Sequence, residues 1–126
     1  MLTTNSKKAK QNLRQYILDN FDGGNYGIEK PETFEEAAKI ILETFKNEKF
    51  YSDRLIQRRQ LPMNVVFADW CAGLPSILNT GYYLGTAVDD LGEILEETET
   101  ERNRYNQDEA EKLLTLMIWR ELNDAR

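Results

Sequence analysis

Phe34, Ala37, Ala38, Ile41, Leu42 and Phe45 recur at intervals of three and four residues, which sets them on one face of a helix. Thr33 and Glu36 stand where a capping box needs them, each side chain able to satisfy a free backbone N–H at the other's position. With Pro31 ahead, the pattern predicts an amphipathic helix from Thr33 to about Lys49. Such a helix is stable only if its apolar face is covered, and the rest of the chain offers helices to cover it.

Leu13, Tyr16, Ile17 and Phe21 form a second stripe, on a helix expected to begin near Asn5 or Ser6 and to stop at Asp22-Gly23-Gly24-Asn25. Gly23–Pro31 reads as a loop pinned to the core by Tyr26 and Ile28. Ser52-Asp53-Arg54 can open a short helix to about Arg59, and Pro62 interrupts the chain. Asn64 can cap a helix from Val65 to about Ala72, ended by Gly73-Leu74-Pro75, with Ser76–Gly81 a helical turn or structured loop. A further helix is expected over roughly Tyr82 to Glu97, with Leu84, Val88, Leu91 and Leu95 on one face. Gly81, Gly85 and Gly92 interrupt it, which implies close packing against another backbone or a late start after Gly85.

Glu99–Asn106 reads as a charged linker. Asn106 with Glu109 caps a last helix to about Asn123, burying Ala110, Leu113, Leu114, Met117 and Ile118, with Trp119 or Leu122 at the margin. No alternating strand pattern runs beyond a few residues. The expected fold class is all-α, a compact single-domain bundle of five or six short helices spanning residues 1–126.

The balance of 40% hydrophobic and 30% charged residues suits one globular domain. No apolar run approaches the roughly 18 residues of a membrane span, and the lysines near the N-terminus have no apolar signal core behind them. A cytoplasmic location is the default. Cys71 is the sole cysteine, which excludes an internal disulfide, and its neighbourhood beside Trp70 reads as core. Net charge is -6, unevenly spread: residues 1–63 carry 11 basic and 9 acidic side chains, residues 64–126 carry 5 and 13. An acidic half repels nucleic acid and anionic lipid and favours basic partners.

The chain has no histidine, which removes the commonest general base, the commonest zinc ligand and the usual Ser-His and Cys-His arrangements. Gly23-Gly24-Asn25-Tyr26-Gly27 matches neither phosphate-loop pattern and follows no strand. The expectation is a protein that is not an enzyme and holds no cofactor and no metal. Asp89, Asp90, Glu93, Glu96 and Glu97 form the one carboxylate run that could tempt an oxygen-loving cation, with Asp89 and Glu93 one turn apart. No second helix supplies further ligands at matching spacing, so a solvated or partner-binding acidic face is the simpler reading.

Ten acidic side chains fall between Asp89 and Glu111, against Arg102, Arg104 and Lys112 in or beside that stretch. Regularly spaced negative charge of this kind can imitate nucleic-acid phosphates in front of a basic groove. The alternative is a regulatory or nucleic-acid-binding helical module using Arg54, Arg58, Arg59 and the Lys7–Lys10 run on phosphate. The aromatic stretch from Phe67 through Trp70 to Pro75, with Tyr82 and Tyr83, reads as a core hinge before a partner groove.

Several segments together carry a resemblance: KKAKQNLRQYILDNFD, Tyr26-Gly27-Ile28-Glu29 with PETFEEAAKIILETF, FADWCAGLPSILNTGYY with AVDDLGEILEETE, and AEKLLTLMIWREL. Across nearly its whole length the chain resembles small, largely uncharacterised accessory proteins of conjugative elements and prophages of gut-type Firmicutes. The resemblance supplies no catalytic residues. It implies a setting in which accessory genes counter host restriction or CRISPR systems, or regulate transfer. Joined to the acidic run, it gives the functional expectation of a non-enzymatic accessory protein acting by protein–protein contact. Its partner would be a host nuclease or effector complex met through Asp89, Asp90, Glu93, Glu96 and Glu97, with no membrane and no bound cofactor, and with oligomeric state open.

Overall fold

In the computed structural model, described over residues 7–48, 61–73, 77–79 and 85–125, the Thr33–Phe45 pattern becomes helix α2 (Phe34–Glu48). The Thr33 hydroxyl accepts the Glu36 N–H at 3.3 Å. Phe34, Ala37, Ala38, Ile41 and Phe45 are buried, and each large side chain among them contributes about 1.5–3 kcal/mol by leaving water. Leu42, expected in the same stripe, is only half-buried and looks into a surface cleft instead.

The other elements, in chain order, are α1 (Lys7–Asp19), a 3-10 turn (Gly24–Tyr26), α3 (Met63–Gly73), α4 (Ala87–Leu95), α5 (Glu99–Arg102) and α6 (Gln107–Asp124). Helix α6 is the central member and touches α1, α2, α3 and α4; α1 packs on α2 and α4 as well. The structure is therefore the expected all-α bundle, with no strand among the described residues and a single antiparallel bridge between Phe21 and Leu78.

That bridge corrects the predicted end of α1. The helix stops at Asp19, ahead of the glycines, and the Asn20 side chain donates back to the Tyr16 carbonyl at 2.8 Å. Residues 20–22 then pair with 77–79: the Asp22 N–H donates to the Ile77 carbonyl and the Asn79 N–H to the Asn20 carbonyl, at 2.5 and 2.8 Å. Local glycine signals lose here to a long-range pairing that buries Phe21, Ile77 and Leu78. The left-handed glycine lies further on, at Gly27 (φ 68°), where it closes the 3-10 turn. Tyr26 and Ile28 pack against the core as expected.

Three further boundaries differ. Helix α3 begins at Met63, because the Pro62 carbonyl accepts from Val65 and Val66, and Asn64 lies inside the helix instead of capping it. Helix α4 starts late, after Gly85, behind Thr86. The supposed linker contains α5, whose N-terminus is a complete capping box between Thr98 and Glu101. The cap of α6 is as read, with the Asn106 side chain accepting the Glu109 N–H at 2.9 Å. The Ser52–Arg59 helix, the Arg54, Arg58 and Arg59 cluster, the Asn5–Ser6 start, Leu74–Ser76 and Tyr82–Leu84 lie outside the described residues.

The core is aromatic at its α2–α3–α6 junction. Phe45 meets Phe67 and Trp119 edge-on at 5.4 and 5.7 Å between ring centroids, and Trp70 completes the cluster, 5.2 Å from Phe45. Cys71 is buried beside it. The stretch that reads as a core hinge in the sequence is core at Phe67 and Trp70.

Candidate functional site: an acidic corner on α4 and α5

Helix α4 buries Ala87, Leu91, Gly92 and Ile94, which turns Asp89 and Glu93 to solvent on its opposite side. Glu96 follows the helix with a left-handed backbone, φ 53°, and its N–H and that of Glu97 both point back to the Gly92 carbonyl. That sharp exit separates the two neighbouring glutamates. Glu96 is exposed, whereas both carboxylate oxygens of Glu97 are shielded from solvent with no hydrogen-bond partner among the described residues.

The five carboxylates thus split. Asp89, Glu93 and Glu96 face water; Asp90 is half-buried and accepts a hydrogen bond from the Thr86 hydroxyl at 3.2 Å; Glu97 is turned inward. Burial pushes the Asp90 carboxyl up from its ordinary range, opposed by the Thr86 hydrogen bond and reinforced by the charges of Glu93 and Asp89. Burial likewise pushes Glu97 up, with the charge of Glu101 adding to it and that of Arg104 opposing it.

Two cations temper the face. Lys8 of α1 pairs with Glu96 at 2.7 Å, an exposed contact, and the Arg102 guanidinium stands 3.9 Å from Asp89. Arg102 reaches that position by lying across Gly92, where a Cβ would sit 2.8 Å from its Cδ. Beyond α4 the negative surface continues through exposed Glu99, Glu101, Asp108 and Glu109. Among the described residues no three His, Cys, Asp or Glu side chains are grouped as metal ligands.

Three charged residues with structural roles escape the sequence reading. Glu121 is 1% exposed and receives the Arg14 Nε–H at 2.5 Å; Arg14 also stands 3.5 Å from Glu35 and stacks 4.9 Å above the Phe34 ring. A carboxylate in register with Leu114, Met117 and Ile118 was the available signal for this pair. Glu48 accepts the Trp70 indole N–H at 2.5 Å, and the Tyr26 phenol hydrogen-bonds to the same carboxylate. No spacing rule announces that hub, because its three members come from α2, α3 and the 3-10 turn.

Two clefts open on the remaining surface. One, of about 630 Å³, runs beside α2 past Glu35, Lys39, Leu42 and Lys46. The other, of about 490 Å³, lies between α3 and α6, with Val65, Ala68 and Leu116 between Asp69 and Lys112. Both mix the two charge signs. No helix among the described residues is long and apolar enough to cross a membrane. Compared with protein-family models, with curated proteins and with solved structures, the chain matches none.

Proposed function

We propose that this chain is a non-catalytic binding protein, in keeping with the accessory proteins of mobile elements that it resembles. On this reading its acidic corner occupies the basic nucleic-acid groove of a host nuclease defence complex. The observation that carries the reading is the predominantly acidic surface over α4 and α5: Asp89, Glu93, Glu96, Glu99 and Glu101 are exposed in one short stretch. Closely spaced carboxylates on a rigid helix and the turn after it meet a cationic groove without first having to be ordered. Lys8 and Arg102 neutralise part of this surface and give it a pattern, which a groove with its own carboxylates can read as register.

The test is charge reversal at Asp89, Glu93 and Glu96, the three carboxylates of the original five that face water. Wild type and the triple lysine variant are added to a restriction or RNA-guided nuclease from a Firmicute host, and DNA cleavage is followed at rising salt. Inhibition by the wild type, weakened by salt and abolished by the reversal, supports the reading. Equal inhibition by both would eliminate the acidic corner as the contact. Inhibition by neither, across the nucleases of the host, would eliminate the function.

A further inference from the structure

The buried carboxyl of Glu97 has no place in the binding surface just described, and its surroundings assign it another role. Its two oxygens are shut off from water and accept no hydrogen bond among the described residues. Burial disfavours the ionised form of a carboxylate in such a site, since it has lost its hydration. A neutral carboxyl tolerates the same position at far lower cost. The side chain can therefore stay where it is with its proton, or leave without it.

The backbone around Glu97 makes leaving feasible. Glu96, immediately before it, holds a left-handed φ of 53° that a non-glycine residue adopts only at a cost. The bonds at the corner are the Glu96 and Glu97 N–H groups to the Gly92 carbonyl, the Asn12 side-chain amide to the Ile94 carbonyl at 2.7 Å, the exposed Lys8–Glu96 pair and the Thr98–Glu101 capping box. Among the described residues, the charges acting on the Glu97 carboxyl are Glu101 of α5, which disfavours its ionisation, and Arg104 just beyond α5, which favours it. Lys8 of α1 is engaged with the adjacent Glu96.

We propose that Glu97 is a proton-operated latch: its neutral carboxyl holds the corner between α4 and α5 closed, and loss of the proton releases the side chain to join the acidic face. The latch goes beyond the binding role proposed above and holds whether or not that role does. In the closed corner Glu97 titrates above its ordinary value and in the open corner at it. Between those two points the closed form carries one more proton than the open form. Raising pH through that window therefore opens the corner, by up to about tenfold in the equilibrium per pH unit, with no further change above the window.

The experiment reads the wild-type chain directly. Carbon-detected NMR follows the Glu97 side-chain carboxyl against pH, while amide hydrogen exchange, corrected for its intrinsic pH dependence, reports opening at the Glu97 N–H. The expected result is a carboxyl that titrates above the ordinary glutamate range. Amide protection should fall up to about tenfold per pH unit across the same window and level off above it. Glu97→Gln, which keeps the shape and cannot ionise, should remain protected at every pH, and Glu101→Gln should move the wild-type window downward. A Glu97 carboxyl titrating at or below the ordinary range would overturn the latch, and this result requires no variant to fold. Persistence of the same pH-dependent opening in Glu97→Gln would overturn it equally.

Discussion

Removing Arg14 while leaving Glu121 in place should damage the bundle more than removing both. Glu121 is 1% exposed, and Arg14 is the cation that pairs with it. Losing one partner of a fully buried pair costs about 3–5 kcal/mol, because the remaining charge is stranded. The Arg14 side chain is 34% exposed, so water can partly replace it and the lower end of that range applies. The stacking of its guanidinium on Phe34 adds about 0.5–1 kcal/mol. Arg14→Met should therefore cost about 3–4 kcal/mol. With a urea m-value of about 1–3 kcal/mol per molar, this lowers the unfolding midpoint by about 1–4 M. The double variant Arg14→Met, Glu121→Met leaves no buried charge and fills the space with flexible apolar side chains, so it should fall within about 1 kcal/mol of wild type. Urea melts followed by tryptophan fluorescence on the four members of this cycle give the coupling energy. Coupling below about 0.5 kcal/mol, the limit of ordinary additivity, would refute the claim that the two charges depend on each other.

Glu48→Ala strips the acceptor from the Trp70 indole and should cost about 1–3 kcal/mol, with a shift in tryptophan emission as the α3 contact loosens. The Tyr26 phenol, half-buried and bonded to Glu48, is held well above its ordinary range by desolvation and by that carboxylate. It should stay protonated through pH 10 in the folded protein, and the stability it contributes is lost only as pH rises beyond that ordinary value; a phenolate absorbance titration of wild type against Tyr26→Phe checks this. Gly92→Ala gains up to about 1 kcal/mol of helix propensity but pushes the Arg102 side chain away. The two effects oppose each other, so stability measured by urea melts should move by less than about 1 kcal/mol.

The parts of the fold legible in sequence are those where one helix face carries enough apolar residues to settle the matter locally. Helices α2 and α6 have such stripes and clear caps, and both appear within a residue or so of their expected bounds. Helix α1 has the stripe, but its end depends on Phe21 finding Leu78, a partner no local window contains. Helix α5 is only four residues long, so its Thr98–Glu101 box had no apolar run behind it to draw attention. The acidic run was visible as a charge pattern. Its division was not, because one left-handed residue at Glu96 decides that Glu96 faces Lys8 and Glu97 turns inward. Glu121 was overlooked because a charge on the buried stripe makes sense only once Arg14 is brought to it from 107 residues away.

That span also sets the order in which the molecule can be made. Helix α1 leaves the ribosome before α4 and α6, yet its apolar face is covered largely by those two helices, and the charge on Arg14, which lies near Glu35 of α2, meets its buried counter-charge on α6. At a synthesis rate of about 5–20 residues per second, α1 waits several seconds or more for its partners, with only α2 available in the meantime. A chain stalled before Gln107 has the other described helices but not the central one, and so exposes the inner faces of α1, α2, α3 and α4 together. Completion of α6 is thus the event that turns a collection of sticky, protease-sensitive segments into a folded protein.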